Sequence, residues 1–486
     1  MKPLEDSSED SRGPANRWLA LTVLYIASFM NLIDVSIVNV ALPQIQADTG
    51  ATPTQLKWVA EAYILALAVG LLPCGRFGDV IGRQRMFLWG LVGFTAASTV
   101  CGLAPDIESL ILARVIQGAA AAMMVPQVLA IAHVTFPPEE KARAFGLFGT
   151  VSSLAVVAGP IVGGALISGD LAGLTWRPAF LINIPLGLAA LVGSWFWLPH
   201  TEVDGKTRPD WIGTLLFGLA VLMLVLPLIE GRSLGWPWWL FAMMIAVVPT
   251  ALLFSIHQRA RATKGRSVLM PPGLLANALY LRRLGLITLF FSGIPGLFLV
   301  LAIFLQSGFG MTALQSGLLT TPFPLGVMLA SLSTQRFGDR HLYERIAGGA
   351  ALLVVGMVCL VFAIQAAGSE FNPYLFIAPL LISGVGMGTA IMSLFQVTMS
   401  NVASENAGAG SGAMQAFQQI GAALGIAVAG QIFFSLLGDG GMENATNDAA
   451  GFVTAATWAA SYSIAIFIGL TLLLGWQAMT RKAAEA

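Results

Sequence analysis

Apolar residues along this chain gather into runs of about 20, separated by short polar or charged stretches. Within a run, polar and apolar positions do not alternate at period two. That argues for helices and against a membrane β-barrel. A window of about 19 residues places the expected spans at 18–42, 55–74, 86–104, 109–132, 144–168 and 178–198, then 211–230 and 238–257, then 284–306, 313–334, 346–367, 373–396, 410–435 and 454–478. The expected fold is an all-α polytopic membrane protein of about 14 helices, since only helices or closed barrels satisfy their backbone in lipid. Gly and Ala dilute the hydrophobicity of the spans at 373–396 and 410–435.

Charge between the runs fixes an orientation. If the N-terminus is cytoplasmic, the cytoplasmic segments hold 21 Lys or Arg, and the outer ones only Lys57, Arg177 and Arg232. This bias predicts that both termini lie in the cytoplasm. The runs divide into a tail (1–17), a six-helix half (18–198), a linker with two extra helices (199–257), a basic cytoplasmic loop (258–283), a second six-helix half (284–478) and a tail (479–486). The loop 258–283 contains Pro271-Pro272, which no continuous helix tolerates, so it is expected to lie along the inner membrane face. Six plus six predicts two packed halves with a cavity between them.

Composition agrees with a lipid setting. Charged residues are 10% of the chain and hydrophobic ones 56%, with mean hydropathy +0.79; soluble domains carry about 25% charged residues. Net charge is zero, so nothing points to nucleic acid. Cys74, Cys101 and Cys359 lie in or beside apolar runs, and neither a disulfide framework nor a metal site is read from them. The opening MKPLEDSSED is acidic rather than basic, so the first span is expected to be an uncleaved anchor.

Several motifs add chemistry. After the second span the chain reads Gly75-Arg76-Phe77-Gly78-Asp79-Val80-Ile81-Gly82-Arg83-Gln84-Arg85. Glycine suits a tight turn, and Asp79 can bond an exposed helix N-terminus or a neighbouring Arg. The full spacing resembles the loop signature of the major facilitator superfamily. Leu110, Arg114, Gln117 and Gly118 resemble its LxxxRxxQG element, and Gly159-Pro160-Ile161-Val162-Gly163-Gly164 is similar to the GPxxGG element of its antiporters. Ile33-Asp34 through Leu42-Pro43 resembles the LDxTIVNVALP stretch of the 14-span drug:proton antiporter branch, and Trp176-Arg177-Pro178 through Ile184-Pro185 resembles that branch's WRWxFxxNxP stretch. Ser36 stands for the usual Thr, Ala155 for a frequent Gly, and Pro178 for a Trp. The second-half copy of the loop, Arg336-Phe337-Gly338-Asp339-Arg340, is degenerate, so gating is expected to rest on Gly75, Asp79, Gly82, Arg83 and Arg85. Gly159-Pro160 removes a backbone hydrogen bond and permits a bend, while Gly163-Gly164 permits close helix approach; the four form the expected antiporter hinge.

Three ionisable residues lie clearly within spans, away from their ends: Asp34, Glu61 and Arg114. Each costs roughly 2.5–3.5 kcal/mol at the membrane centre, so such residues are usually functional. At about 1.5 Å per residue they lie roughly 12, 9 and 8 Å from the outer end of their spans, in one layer. Asp34 is either a permanent ion pair with Arg114 or a carboxylate that gains and loses a proton. Glu61 either pairs with Lys57, one turn earlier, or takes part in transport. Arg114 does not deprotonate, and either tunes Asp34 or ties helices together. His133, His200, His257 and His341 all fall at cytoplasmic ends or loops, so proton coupling would need carboxylates.

Gly205-Lys206-Thr207 is the only GKT, and His200 stands where a phosphate-binding loop needs its first glycine. No ATPase subunit and no cofactor are expected; the proton gradient is the expected energy source. The resemblance implies a proton-coupled exporter of small amphipathic or cationic compounds (multidrug efflux, antibiotic resistance) in a bacterial cytoplasmic (inner) membrane. Its expected partners are small-molecule substrate, protons and the lipid bilayer. An exporter of an endogenous metabolite, siderophore or lipid on the same fold is the alternative. An enzyme would need a nucleophile–base pair or metal ligands in the bilayer, and a channel a filter motif, and neither is read.

Overall fold

The structure, a computed structural model, describes residues 14–168, 173–198, 209–334, 341–367, 371–400, 402–437 and 449–485. The degenerate loop copy Arg336–Arg340, His200, Gly205-Lys206-Thr207 and the acidic leader lie outside the described residues.

The helices run α1 (Pro14–Thr49), α2 (Pro53–Ile81), α3 (Arg83–Gly102), α4 (Ile107–Thr135), α5 (Pro138–Ser168), the short α6 (Pro178–Leu181), α7 (Asn183–Trp197), α8 (Trp211–Glu230) and α9 (Trp238–Thr263). The short α10 (Pro272–Leu275) follows, then α11 (Ala278–Ser292), α12 (Pro295–Ile303), α13 (Ala313–Thr320), α14 (Pro322–Thr334), α15 (Leu342–Ala366), α16 (Ile377–Met399), α17 (Ala407–Leu437) and α18 (Ala449–Glu485). Among the described residues 13 helical stretches are long and apolar enough to cross a membrane. The expected span at 86–104 corresponds to α3, which is not among the 13: Arg85 lies in its first turn, and Thr, Ser and Gly dilute the rest, although it presents Trp89, Val92 and Val100 outward.

Local chemistry sets the ends. Thr52 and Gln55 form a capping box at the start of α2, with Pro53 in the first turn, and Thr312 with Gln315 does the same for α13. The expected span 284–306 is broken: α11 stops at Ser292 and Pro295 restarts the chain as α12, which ends in a π-helical turn, Phe304–Gly308. Loop 258–283 is shorter than expected, because α9 reaches Thr263 and α11 begins at Ala278. Its middle folds back, with Gln258 accepting from the N–H groups of Leu269 and Met270. Asp210 caps α8 through Gly213 N at 3.0 Å and accepts from Gln258 Nε2 at 2.8 Å, tying α8 to α9. Burial raises its pKa, but His257, Gly213 and Gln258 together outweigh that and hold it below the ordinary carboxylate value.

Packing sorts the long helices into two sets. One joins α1 with α5 and α7, and α4 with α2 and α3; the other joins α16 with α14 and α15, α18 with α15, and α17 with α11, α12 and α18. The sets meet where α2 lies on α17 and α5 on α14, while α8 and α9 pair with each other and α8 leans on α2 and α17. Large apolar side chains left outside, such as Trp195 (80% exposed) and Trp238 (79%), suit a surface covered by lipid.

Candidate functional site

Asp34, near the middle of α1, is buried in a closed polar network. Its Oδ2 accepts from Arg114 Nη1 at 2.6 Å, and its Oδ1 accepts from Gln117 Nε2 and Asn183 Nδ2, both at 2.8 Å. Arg114 is consumed as fully: Nη1 also donates to Gln117 Oε1 at 2.8 Å, Nε donates to the Val59 carbonyl at 2.9 Å, and the guanidinium lies 4.2 Å over the Tyr63 ring. Helical spacing explains the convergence, since Arg114 and Gln117 are one turn apart on α4 and face the same way. Asn183, the first residue of α7, also donates to Ser98 Oγ at 2.9 Å. All three groups around Asp34 are donors, a geometry built for a carboxylate. A buried ion pair is costly to break by neutralising one partner, by roughly 3–5 kcal/mol.

A second site closes the opposite end of α2. The expected loop 75–85 is mostly helix: α2 continues to Ile81 and α3 begins at Arg83, so only Gly82 breaks the chain, at φ +102°. Asp79 therefore sits in the last turn of α2 rather than in a glycine-bounded turn. Its Oδ1 accepts from Gly408 N and its Oδ2 from Ala409 N, both at 2.8 Å, so it caps the N-terminus of α17 from another helix. Arg83 grips Oδ1 through Nε and Nη2 at 2.9 and 2.7 Å and donates to the Ser404 carbonyl. Arg76 Nη1 lies 3.9 Å from Oδ2 and Arg76 Nε donates to the Val268 carbonyl at 2.9 Å, whereas Arg85 is exposed. Gly75 serves contact rather than turning: a Cβ there would overlap the Gly408 carbonyl.

Glu61 shares the expected layer but not the Asp34 network. Its Oε1 is 3.6 Å from Lys57 Nζ, which is also 3.2 Å from Glu230 Oε2 on α8. On α5, a Cβ at Gly159 would overlap Ser36 of α1, the position where the family pattern has Thr. Pro160 faces Gly317 of α13, Gly163 makes ordinary contact with Ile37, and Gly164 has open space beside it. The close approach thus falls on Gly159 and not on the Gly163-Gly164 pair, and α5 stays one helix through Pro160.

The sequence family described as Major Facilitator Superfamily matches residues 24–426. The chain belongs to that superfamily. Membership makes this major facilitator a transporter and not an enzyme. It is 37% identical over 445 residues to a probable actinorhodin transporter of Streptomyces coelicolor, covering 88% of this chain and 76% of that one. A puromycin resistance protein of Streptomyces alboniger is 31% identical over 98% of this chain and 93% of its own. A multidrug resistance protein of Mycobacterium tuberculosis is 32% identical over 87% and 77%. Among solved structures, the proton:xylose symporter XylE has TM-score 0.67 at 11% identity, with 96% of each chain covered, and the human organic anion transporter MFSD10 has 0.66 at 15%, with 94% and 100% covered. These two show the fold alone.

Motif reading missed Gln117 and Asn183 as partners of Asp34, although both stand inside the stretches that carry the resemblance. The available signal was an amide in an otherwise apolar span. It also passed over Glu230, the last residue of an apolar run, which the structure buries.

Proposed function

We propose that this major facilitator is a proton-coupled antiporter exporting small amphipathic or cationic compounds by alternating access. The observation that carries the reading is Asp34, an acid deep in the helix bundle whose neutralisation would strand Arg114. A proton reaching Asp34 weakens its hold on Arg114, and Arg114 must then find other acceptors. Protonation and helix movement become one event, which is what coupling requires. The names of the relatives, for antibiotic or multidrug resistance and for export, support outward transport.

In this reading the loops 75–85, 258–283 and 335–345 and both termini face the cytoplasm of a bacterium, across its inner membrane. The stretches 18–198 and 284–478 rock as two halves, with 199–257 supplying the extra pair of helices, and Gly159-Pro160 gives α5 its freedom to adjust. Asp79 holds the inner end shut in the conformation described. The proton gradient supplies the energy and no cofactor is needed. One relative is named for a single compound and another for multidrug resistance, so a single endogenous product is the second reading, and a broad compound panel separates the two.

The test uses purified protein in liposomes, following proton movement when compounds from such a panel are added. Asp34→Asn holds the site in its neutral form: uphill export should disappear while exchange down a compound gradient survives. A variant that still moves protons at the wild-type ratio removes Asp34 from the coupling path.

A further inference from the structure

Glu230 lies at the end of α8, one of the two helices expected between the halves, and is 5% exposed. Its Oε2 is well served, by Ser233 Oγ at 2.6 Å and Lys57 Nζ at 3.2 Å. Its Oε1 has no donor, and neither does Oε2 of Glu61, both being buried atoms. The two carboxyl groups converge on one cation, Lys57 Nζ, at 3.6 Å from Glu61 Oε1 and 3.2 Å from Glu230 Oε2, and each keeps a buried oxygen that no donor reaches. Two carboxylates have no donor between them, so a hydrogen bond from one to the other requires a proton on one oxygen. Charge agrees: Lys57 balances one of the two acids, and a single proton makes the cluster neutral.

We propose that Glu61 and Glu230 hold one proton between them, forming a second proton site that joins α2 to α8. The proton comes from water at that end of the bundle and bonds to one carboxyl oxygen, while the other carboxylate accepts the hydrogen bond. Among the described residues, the other charged groups nearby are engaged elsewhere. On α4, Glu108 accepts from Gln55 Nε2 and Arg114 is bound to Asp34. Arg232 is turned over the Phe434 ring. The helix α17, packed on both α2 and α8, has no ionisable residue anywhere along its length. When the proton leaves, Lys57 alone separates the half-buried Glu61 from the buried Glu230, and their repulsion loosens α8 from α2.

The role of this site in transport rests on the proton-coupled reading above, but proton sharing itself is read without transport. Infrared difference spectra of the purified full-length protein, titrated from acid to alkaline buffer, report the C=O stretch of a protonated carboxyl. Wild type should show that band in neutral buffer. Glu61→Gln and Glu230→Gln should each abolish it, because either acid left alone pairs with Lys57, while Asp34→Asn keeps it. Absence of the band from wild type overturns the proposal. So does its survival in either single variant, which would mark an isolated acid rather than a shared proton. Ser233→Ala guards against misfolding, since Ser233 is exposed and the change keeps both acids. It removes a donor that favours ionised Glu230, so the band should persist further into alkaline buffer; an unmoved band counts against the shared proton.

Discussion

Arg114 makes three kinds of contact at once, to Asp34 and Gln117 through Nη1, to the Val59 carbonyl through Nε, and to the face of Tyr63. A lysine could repeat the charge but not the fork. Arg114→Lys should therefore keep compound binding and cut proton-driven export by on the order of tenfold or more, the loss of about one charge-assisted hydrogen bond. Export at the wild-type rate in liposomes would mean the fork is dispensable. At this scale the sequence was partly legible. An acid and an arginine in apolar runs stand out because lipid penalises them, and their matching depth follows from helical rise alone. What depth cannot give is rotation about each helix axis, so Glu61 looked like a companion of Asp34 and instead faces α8.

Between elements, the contact of α2 with α17 is a carboxylate seated on a helix N-terminus. Such a cap contributes about 1 kcal/mol, more when an anion meets the helix dipole. Asp79→Asn retains the shape but surrenders the charge that Arg83 grips. Transport should slow while compound binding is largely kept, and a cysteine placed at Ser404 should react faster with thiol reagents, because the closed state loses population. Unchanged transport and unchanged reactivity would reduce the motif to a topological signal. Spacing and glycine content drew attention to this motif, and Asp79 bonds both a helix N-terminus and an Arg, the two kinds of partner expected for it. The turn was misjudged because glycine has two uses, positive φ and close approach, and only Gly82 has the first. Similarly, the break between α11 and α12 was hidden because Gly293 and Pro295 sit inside an unbroken apolar run, and hydropathy does not see backbone geometry.

For the whole molecule, the charge bias makes an orientation that labelling can check. Single cysteines introduced in 75–85, 258–283 or 335–345, with Cys74, Cys101 and Cys359 replaced, should resist impermeant thiol reagents added outside intact cells. Labelling of all three from outside would invert the topology. The fold class followed from run length and polarity, since the bilayer leaves few options; the pairing of the two helix sets did not, because small residues set it. The helix α17 meets α2 at Gly408 and Gly412, where an added Cβ would overlap the α2 backbone, and meets α11 at Gly421 and Gly425 in the same way, while a Cβ on Gly296 of α12 would overlap the Gly425 carbonyl. Smooth main chain thus lies against smooth main chain at these points, and the register is held by a few side-chain bonds beside them, from Asp79 to the N–H groups of Gly408 and Ala409 and from Tyr280 Oη to the Gly410 carbonyl. Such a surface behaves as a bearing with a latch: once those few bonds release, little side-chain bulk stands in the way of displacement, while added bulk is not accommodated. A single methyl group on either flank acts as a wedge, and evolution can retune the speed of this machine there without altering any chemistry.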